Sequence, residues 1–248
     1  MKKVVVLGCG RLGKIIASAI HAGVVEGVTL HAILCREPDK HAEFAKEMGC
    51  MISNSLDEVM QAKPDYVVEA GTKEAVIEHT ENVLRKGADI ILLSMGVFVD
   101  ENYYNHIKNV AIETNQRVHL ASGVVGGFDI MSTAMLMGEL KSTFETRRKP
   151  RNEGNAPTEF SGTAEELYSH FPNNLNVAIA VALGTNGPKN TFANLVKIEG
   201  DENSSFSTTL EGEFGKSYIY TELNGKGPAM AGWSAVAMLQ RLTQPISF

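Results

Sequence analysis

The stretch GCGRLG, Gly8 to Gly13, constrains the fold of this chain more than any other feature of the sequence. A β-branched run precedes it directly, and Arg11 to Ala22 follows with apolar residues at helical spacing. Gly8 permits a tight turn, Gly10 lets the backbone approach a bound group, and Gly13 allows close packing of helix on strand. A strand, a glycine turn and a helix in this order predict a dinucleotide-binding fold with a pyrophosphate at the helix N-terminus.

The rest of the first half alternates short apolar runs with helical patterns, and hairpin signals are few. Strands separated by single helices predict a parallel sheet with right-handed crossovers, which is a doubly wound Rossmann fold of the α/β class. The predicted strands are Val4–Gly8, Thr29–Leu34, Asp65–Ala70, Ala88–Ser94 and Arg117–Ser122, and the helices are Arg11–Ala22, Asp39–Met48, Lys73–Lys86 and Asp100–Gln116.

The second half predicts an α+β domain with an antiparallel sheet and helices on one side. One of its helices opens on a capping box, Thr163 with Glu166. A final apolar helix, Met230–Leu242, is expected to pack back onto the first domain. We therefore divide the chain into a dinucleotide-binding domain, 1–121 with 227–248, and a substrate and oligomerisation domain, 122–226. The strands predicted in the second half are Phe144–Pro150, Thr191–Gly200, Phe206–Gly212 and Ser217–Leu223, and the helices are Thr163–His170 and Asn176–Leu183.

Composition excludes several classes of function. A net charge of -6 argues against a surface for duplex nucleic acid, which needs a concentrated basic field. The three cysteines, Cys9, Cys35 and Cys50, lack the spacing of a zinc site, so we expect no metal and a reducing compartment. The N-terminal apolar run is cut by glycine too early for a signal peptide, and no apolar stretch approaches the ~18 residues of a membrane span. The sequence therefore predicts a cytoplasmic protein that binds neither nucleic acid nor membrane.

Cys35 and Arg36 bear on which dinucleotide is bound. An NAD-preferring site has an Asp or Glu at the end of the second strand, ~20 residues past the glycines, to bind the ribose hydroxyls. Cys35 occupies that position. A thiol does not repel a 2′-phosphate, and the forked guanidinium of Arg36 suits phosphate oxygens, so we expect NADP to be accepted, with NAD possible. Glu37 argues the other way, because a carboxylate one position later can turn inward, and Arg36 can also be an ordinary surface residue.

Two stretches, SGVVGGFD at Ser122–Asp129 and FPNNLNVA at Phe171–Ala178, resemble the L-aspartate dehydrogenases. The resemblance extends through GCGRLG, EAGTKEAV at Glu69–Val76, LLSMGVFVD at Leu92–Asp100, and Lys149 with Pro150. Members of this family are two-domain NAD(P)-dependent enzymes that interconvert L-aspartate and iminosuccinate, which goes on to oxaloacetate and ammonia or into NAD biosynthesis.

The resemblance implies a set of cofactor contacts. Val124 would lie against the cofactor, and Asn176 would contact it near the nicotinamide, although an ordinary helix cap explains Asn176 equally well. Glycines beside Val124 suit the close approach of backbone to a flat ring. The complete set predicted to bind the cofactor is Gly8, Gly10, Arg11, Leu12, Gly13, Cys35, Arg36, Ala70, Gly71, Ser94, Val124 and Asn176.

The chain departs from the family where the proton carrier is expected. The family pattern resembles D-P-x-x-x-x-N-x-H, whereas this chain reads DENSSFSTT from Asp201, with Ser207 at the Asn position and Thr209 at the His position. A hydroxyl donates a hydrogen bond but does not accept a proton near pH 7 as imidazole does. Lys149 is the other catalytic candidate, because a partly desolvated lysine can lose its proton near neutrality; it can equally be a surface lysine.

Four further residues were considered for the site. His119 and His170 can point toward a cleft but are better explained as structural residues, whereas Ser132 and Thr133 can bind a carboxylate from a helix start. The sequence therefore predicts an oxidoreductase that moves hydride between NADP(H) and a small amino or imino dicarboxylic acid, acting on a CH–NH2 group. The alternatives are a catalytically impaired NADP-binding sensor and an NADPH-dependent reductase of a different carbonyl compound. By analogy we expect a homodimer formed through the antiparallel sheet.

Overall fold

A computed structural model of the chain describes residues 1–149, 159–171, 175–199 and 203–246. The chain divides into two compact units, Met1–Gly123 with Ala229–Phe248 and Val124–Pro228. The predicted Pro150, Asp201 and Glu202 lie outside the described residues, as do positions 172 to 174 of the FPNN stretch.

Unit 1 is built on a six-stranded parallel sheet with strand order β3-β2-β1-β4-β5-β6. This is the doubly wound order, and it reverses between β1 and β4, where such folds bind dinucleotides. The Rossmann prediction is confirmed. Its strands are β1 Lys2–Leu7, β2 Val28–Leu34, β3 Met51–Ser53, β4 Tyr66–Glu69, β5 Asp89–Leu92 and β6 Val118–Leu120; its helices are α1 Arg11–His21, α2 Ala42–Glu47, α3 Leu56–Met60, α4 Lys73–Arg85, α5 Glu101–Thr114 and, from the end of the chain, α9 Met230–Thr243.

The register brings the carboxyl ends of the central strands to one level. Leu7 of β1 pairs with Leu34 of β2 on one side and with Glu69 of β4 on the other. The strands are buried on both faces by the flanking helices, as expected for parallel strands with continuous Val and Ile runs. The final helix α9 packs against α1, where Gly232 lies close to Ile15.

Unit 2 holds a five-stranded sheet with order β11-β10-β7-β9-β8. It is a mixed sheet rather than the fully antiparallel one predicted, because β7 and β9 run parallel; the connection between them contains two helices, which is the usual route between parallel neighbours. The capping box of Thr163 and Glu166 is confirmed. The strands are β7 Leu140–Arg148, β8 Glu159–Thr163, β9 Phe192–Lys197, β10 Ser204–Gly212 and β11 Gly215–Leu223; the helices are α6 Phe128–Met137, α7 Ala164–His170 and α8 Asn176–Leu183.

Short elements account for most differences from the predicted structure. The sequence did not predict β3, α3, α6 or β8, and Pro38–His41 forms a 3₁₀ turn ahead of α2. β3, α3 and β8 have only three to five residues, which carry too little periodicity to be recognised from the sequence alone, whereas α6 has ten. No helix within the described part of the chain has the length and apolar character needed to cross a bilayer.

Candidate functional site

The glycine turn after β1 is packed so tightly that two of its glycines admit no side chain. Gly8 has φ +106°, and a Cβ there would lie 2.8 Å from the carbonyl oxygen of Ala70. A Cβ at Gly13 would lie 2.0 Å from the carbonyl oxygen of Gly8. Gly8 also donates its N–H to Leu34 at the end of β2, at 2.8 Å. The turn is therefore held against β2 on one side and against the residues that follow β4 on the other.

Gly10 differs from its neighbours because the space beside it is open. No atom lies within 4 Å of the position that a Cβ would take at Gly10, which caps α1. The first turn of α1, which includes Arg11 and Leu12, contains no acidic residue, and Gly10 offers no side-chain cap. The backbone N–H groups that begin α1, and the positive end of its dipole, therefore lie beside open space. This cradle fits the pyrophosphate of a nicotinamide dinucleotide.

The tip of β2 carries no carboxylate directed at that cradle. Cys35 donates its N–H to Ser53, and burial raises the pKa of the Cys35 thiol, so the side chain is neutral near pH 7. Arg36 is exposed. Glu37, the counterargument raised by the sequence, contacts Lys40 instead, with 3.4 Å between carboxylate and ammonium.

Arg36 also influences a residue that follows β4. The pKa of the Glu74 carboxyl is lowered, mainly by the hydroxyl of Thr72 and to a lesser extent by the charge of Arg36. Because β1 lies between β2 and β4, the segments that follow β2 and β4 flank the glycine turn on its two sides. In doubly wound folds, the adenosine end of a dinucleotide contacts the end of the second strand, beside the glycine turn.

Ala70, Gly71 and Ser94 lie at the same carboxyl edge of the sheet. Ala70 donates its N–H to Leu7, the last residue of β1, at 2.8 Å. Gly71 and Ser94 both donate to the carboxylate of Glu69, a fully buried residue that the sequence analysis did not assign to the site. The sequence signal for Glu69 was its place near the end of the apolar run DYVVEA, since an acid in a buried strand needs several hydrogen-bond partners.

Unit 2 holds the two cofactor contacts that the family resemblance implies. Val124 is 6% exposed and follows Gly123, which has φ +64° and donates its N–H to Ser234 at 3.0 Å. Asn176 is the first residue of α8, and the cap position falls on Leu175. Asn176 thus lies one residue inside the helix rather than at its cap position, and its side chain is half-buried.

Lys149 and Thr209 occupy different parts of the unit 2 sheet. Lys149 follows β7 directly, is exposed, and accepts a hydrogen bond through its carbonyl from Arg148 at 3.4 Å. Thr209 lies in the middle of β10, paired with Thr143 of β7 and Tyr218 of β11. Directly paired residues share a face, so Thr209 lies on the face with Tyr218, which is 62% exposed.

The remaining candidates have structural partners. His119 contacts Asp89, the first residue of β5, at 3.1 Å, which ties it to the edge opposite the glycine turn. The ring of His170 lies 5.2 Å from that of Phe160. Ser132 and Thr133 do not lie at a helix start: both are inside α6, and their hydroxyls donate to backbone carbonyls four residues earlier. The proposed carboxylate contact of these two hydroxyls has no support in this geometry.

Two family models together cover nearly the whole chain. Residues 8–121 match the model described as the NAD-binding domain of homoserine dehydrogenase, and residues 130–242 match the C-terminal domain of aspartate dehydrogenase. The L-aspartate dehydrogenase of Archaeoglobus fulgidus is 32% identical over 244 residues, which are 96% of this chain and 96% of that protein. The enzyme of the same name from Methanocaldococcus jannaschii is 26% identical over 99% of this chain and 98% of its own length.

Solved structures show the same fold. The crystal structure of aspartate dehydrogenase from Thermotoga maritima aligns with a TM-score of 0.79 at 21% identity, covering 100% of this chain and 99% of that one. An amine dehydrogenase from Mycobacterium smegmatis aligns with a TM-score of 0.63 at 14% identity, over 97% and 92% of the two chains.

Proposed function

Since the chain belongs to the L-aspartate dehydrogenase family and is an NAD(P)-dependent oxidoreductase of an amino-acid CH–NH2 group, we propose that it interconverts L-aspartate and iminosuccinate with NADP(H). The observation that carries the cofactor choice is the tip of β2. Cys35 stands where an NAD site has its acid, and the carboxylate of Glu37, two residues further on, contacts Lys40. No negative charge of this tip then opposes a 2′-phosphate, and Arg36 supplies a positive one.

The bound nicotinamide supplies the hydride chemistry, and the protein binds and orients the reactants. Oxidation of aspartate to protonated iminosuccinate would need a hydride acceptor, which a bound nicotinamide would supply, and a base for one proton of the ammonium nitrogen. We assign that proton to the side chain of Lys149, which is exposed directly after the end of β7.

Turnover with defined substrates tests this proposal. Nicotinamide absorbance is followed with NADP and L-aspartate in one direction, and with NADPH, oxaloacetate and ammonium in the other. We expect turnover in both directions, dependence on ammonium in the second, and a preference for NADP over NAD. A rate of oxaloacetate turnover that is the same with and without ammonium would instead identify a carbonyl reductase.

Thr209 in place of the family's histidine favours a second candidate, a protein that binds NADP(H) as a sensor without catalysis. A hydroxyl does not replace imidazole as a proton acceptor near pH 7. Tight NADPH binding by calorimetry, with no turnover across a panel of 2-oxo acids and ammonium, would favour the sensor over the dehydrogenase.

We also propose that the exposed face of the unit 2 sheet joins two copies of the chain. Three rows of cross-strand neighbours extend over four strands on this face. Positive and negative side chains both occur on it, and this mixture suits contact between identical patches of two copies. Tyr218 and Tyr220 are 62% and 51% exposed and provide aromatic area. From β9 through β7 and β10 to β11, the rows are Phe192, Thr143, Thr209 and Tyr218; Asn194, Glu145, Ser207 and Tyr220; and Val196, Arg147, Ser205 and Glu222.

A second copy bound on this face would cover the hydroxyl of Thr209. Thr209 therefore cannot lie in the dimer interface and also contact the substrate. Sedimentation of a Tyr218→Lys, Tyr220→Lys variant should show a monomer, whereas Tyr104→Lys, on exposed α5 of unit 1, should remain a dimer. Thr209→Ala should then leave kcat unchanged. A wild-type monomer that loses turnover on Thr209→Ala would reverse the assignment and make Thr209 a catalytic hydrogen-bond donor.

A further inference from the structure

Glu69 is a buried acid at the point where the unit 1 sheet reverses its strand order. It is the last residue of β4, pairs with Leu7 of β1, and has no exposed surface. Buried acids are rare in proteins because an ion loses its hydration there, and they persist where other groups replace the water. The partners of Glu69 therefore indicate what it holds in place.

Four donors converge on this carboxylate, two on each oxygen. Oε1 accepts the N–H of Gly71 at 2.7 Å and the hydroxyl of Ser94 at 2.9 Å. Oε2 accepts the N–H of Leu93 at 3.1 Å and the N–H of Ser94 at 2.9 Å. The side chain of Glu69 thus joins the segment after β4 to the segment after β5. Glu69 and Leu93 are 24 residues apart along the chain.

The carboxylate also supports the glycine turn, although it does not touch it. Gly8 packs directly on the Ala70–Gly71 peptide, with 2.9 Å between the position of a Cβ on Gly8 and the nitrogen of Gly71. The hydrogen bond from Gly71 to Glu69 fixes that peptide. A shift of the segment after β4 would therefore alter the side of the glycine turn that faces β4, away from β2 and the adenosine half.

The charge on Glu69 matters to this arrangement. Burial raises the pKa of the Glu69 carboxyl, and the hydrogen bonds from Ser94, Gly71 and Leu93 offset only part of that rise. All four partners are donors, so an ionised carboxylate satisfies every one of them, while a protonated carboxyl would present a hydrogen to one of its neighbours.

We propose that Glu69 is the positioning residue for the nicotinamide half of the cofactor. In a doubly wound fold the adenosine half lies over β1 and β2, and the other half lies on the far side of the switch point. Glu69 orders the two segments on that far side, after β4 and β5, by binding four of their donors at once. The inference rests on the proposed cofactor site and adds a residue that sets its geometry without touching the ligand.

Glu69→Gln tests the proposal by calorimetry. Whichever way the amide turns, its NH2 group cannot accept, so at least one backbone N–H loses its acceptor, even if the hydroxyl of Ser94 turns to accept from the amide. We expect the Kd of NADPH to rise about 30-fold, an effect in the range for unpaired buried donors. The Kd of adenosine 2′,5′-bisphosphate, which carries only the adenosine half, should change less than about threefold. NADH with AMP gives the same comparison without the 2′-phosphate.

Asp65→Asn is the matched control, since Asp65 precedes β4 and also accepts a backbone N–H, from Lys3 at 2.8 Å, but at the opposite edge of the sheet. Asp65→Asn should leave both affinities unchanged. Equal losses for NADPH and the bisphosphate in Glu69→Gln would show general loosening of unit 1 and overturn the proposal, as would an unchanged NADPH affinity.

Ser94→Ala covers the case in which Glu69→Gln does not fold. It removes one donor and leaves the carboxylate in place, so we expect NADPH to bind about threefold more weakly with the bisphosphate unaffected; no change in NADPH affinity would contradict the role of this contact. Wild-type protein that binds neither NADPH nor NADH contradicts the cofactor site itself, whereas wild-type binding with unchanged variants contradicts only the positioning role.

Discussion

The two units of this protein carry their functional groups in different ways. In unit 1 the groups at the ligand edge are mostly backbone: the open position at Gly10, the N–H groups that begin α1, and the turn of Gly8 against Ala70. In unit 2 the candidates are side chains, Lys149 and Thr209. Backbone recognition needs particular glycines, whereas a side chain can be exchanged without disturbing the fold. On our proposal, cofactor binding is built into the architecture of unit 1, and the reaction depends on replaceable residues of unit 2.

The largest effect should come from Lys149→Met, which tests the side-chain half of this contrast. If Lys149 handles the ammonium proton, kcat should fall by about 10²-fold or more, with NADPH affinity unchanged. Stopped-flow turnover and calorimetry measure the two quantities. Lys226→Met, at an exposed position of the same unit outside its sheet, is the control and should retain full activity. A Lys149→Met variant with wild-type kcat would remove Lys149 from the mechanism.

A pair of glycine substitutions tests the backbone half. Gly13→Ala forces a Cβ against the carbonyl of Gly8 and should lower the free energy of unfolding by about 3 kcal/mol. Gly10→Ala fills open space, so it should cost less than about 1 kcal/mol of folding free energy while weakening NADPH binding at least about tenfold. Urea unfolding and calorimetry separate the two effects. Equal NADPH affinity in Gly10→Ala and wild type would show that the cradle does not hold the pyrophosphate.

Arg36→Ala sharpens the comparison within unit 1, since Arg36 is a side-chain contact in a largely backbone site. We expect the ratio of NADP to NAD affinity to fall about tenfold through the loss of one charge-assisted phosphate contact. Affinity for NADH should not change. Arg117→Ala, an exposed arginine ahead of β6 at the opposite edge, should leave the ratio intact. An unaltered ratio in Arg36→Ala would contradict its contact with the 2′-phosphate.

The smallest effect concerns Asp65, which lies at the edge of the sheet to which we assign no function. Burial raises the pKa of Asp65, but the donors of Lys2 and Lys3 outweigh it and hold the pKa below its ordinary value. A lowered pKa in the folded state contributes stability above the ordinary range of Asp, and this contribution is lost as pH falls through the folded value. The contribution should be less than about 1 kcal/mol, because Lys2 is exposed.

Urea unfolding near neutral pH and in acid measures that contribution. The loss of stability between the two conditions should be smaller in Asp65→Asn than in wild type. Lys2→Met should produce part of the same change, and the double variant should show less than the sum, since the two residues share one interaction. Identical acid sensitivity in wild type and Asp65→Asn would exclude the ion pair as its source.

Most of the fold was predictable from local patterns. The runs that became β1, β2, β4 and β5 are apolar and β-branched, and α1, α4 and α5 have clear helical spacing. The short β3 and α3 carry no such signal. The parallel pairing of β7 with β9 was also missed, because alternation along a strand does not reveal the direction of its neighbour.

The sequence by itself determined the glycine turn, the neutral tip of β2 and the family, because a required φ, a side-chain type and a motif are properties of adjacent residues. Only the tertiary structure decided that Thr209 lies on the exposed face of its sheet and that Glu69 joins the segments after β4 and β5. Glu69 meets Leu93 only because β4 and β5 are neighbours in the sheet, and strand order arises from packing of the whole unit.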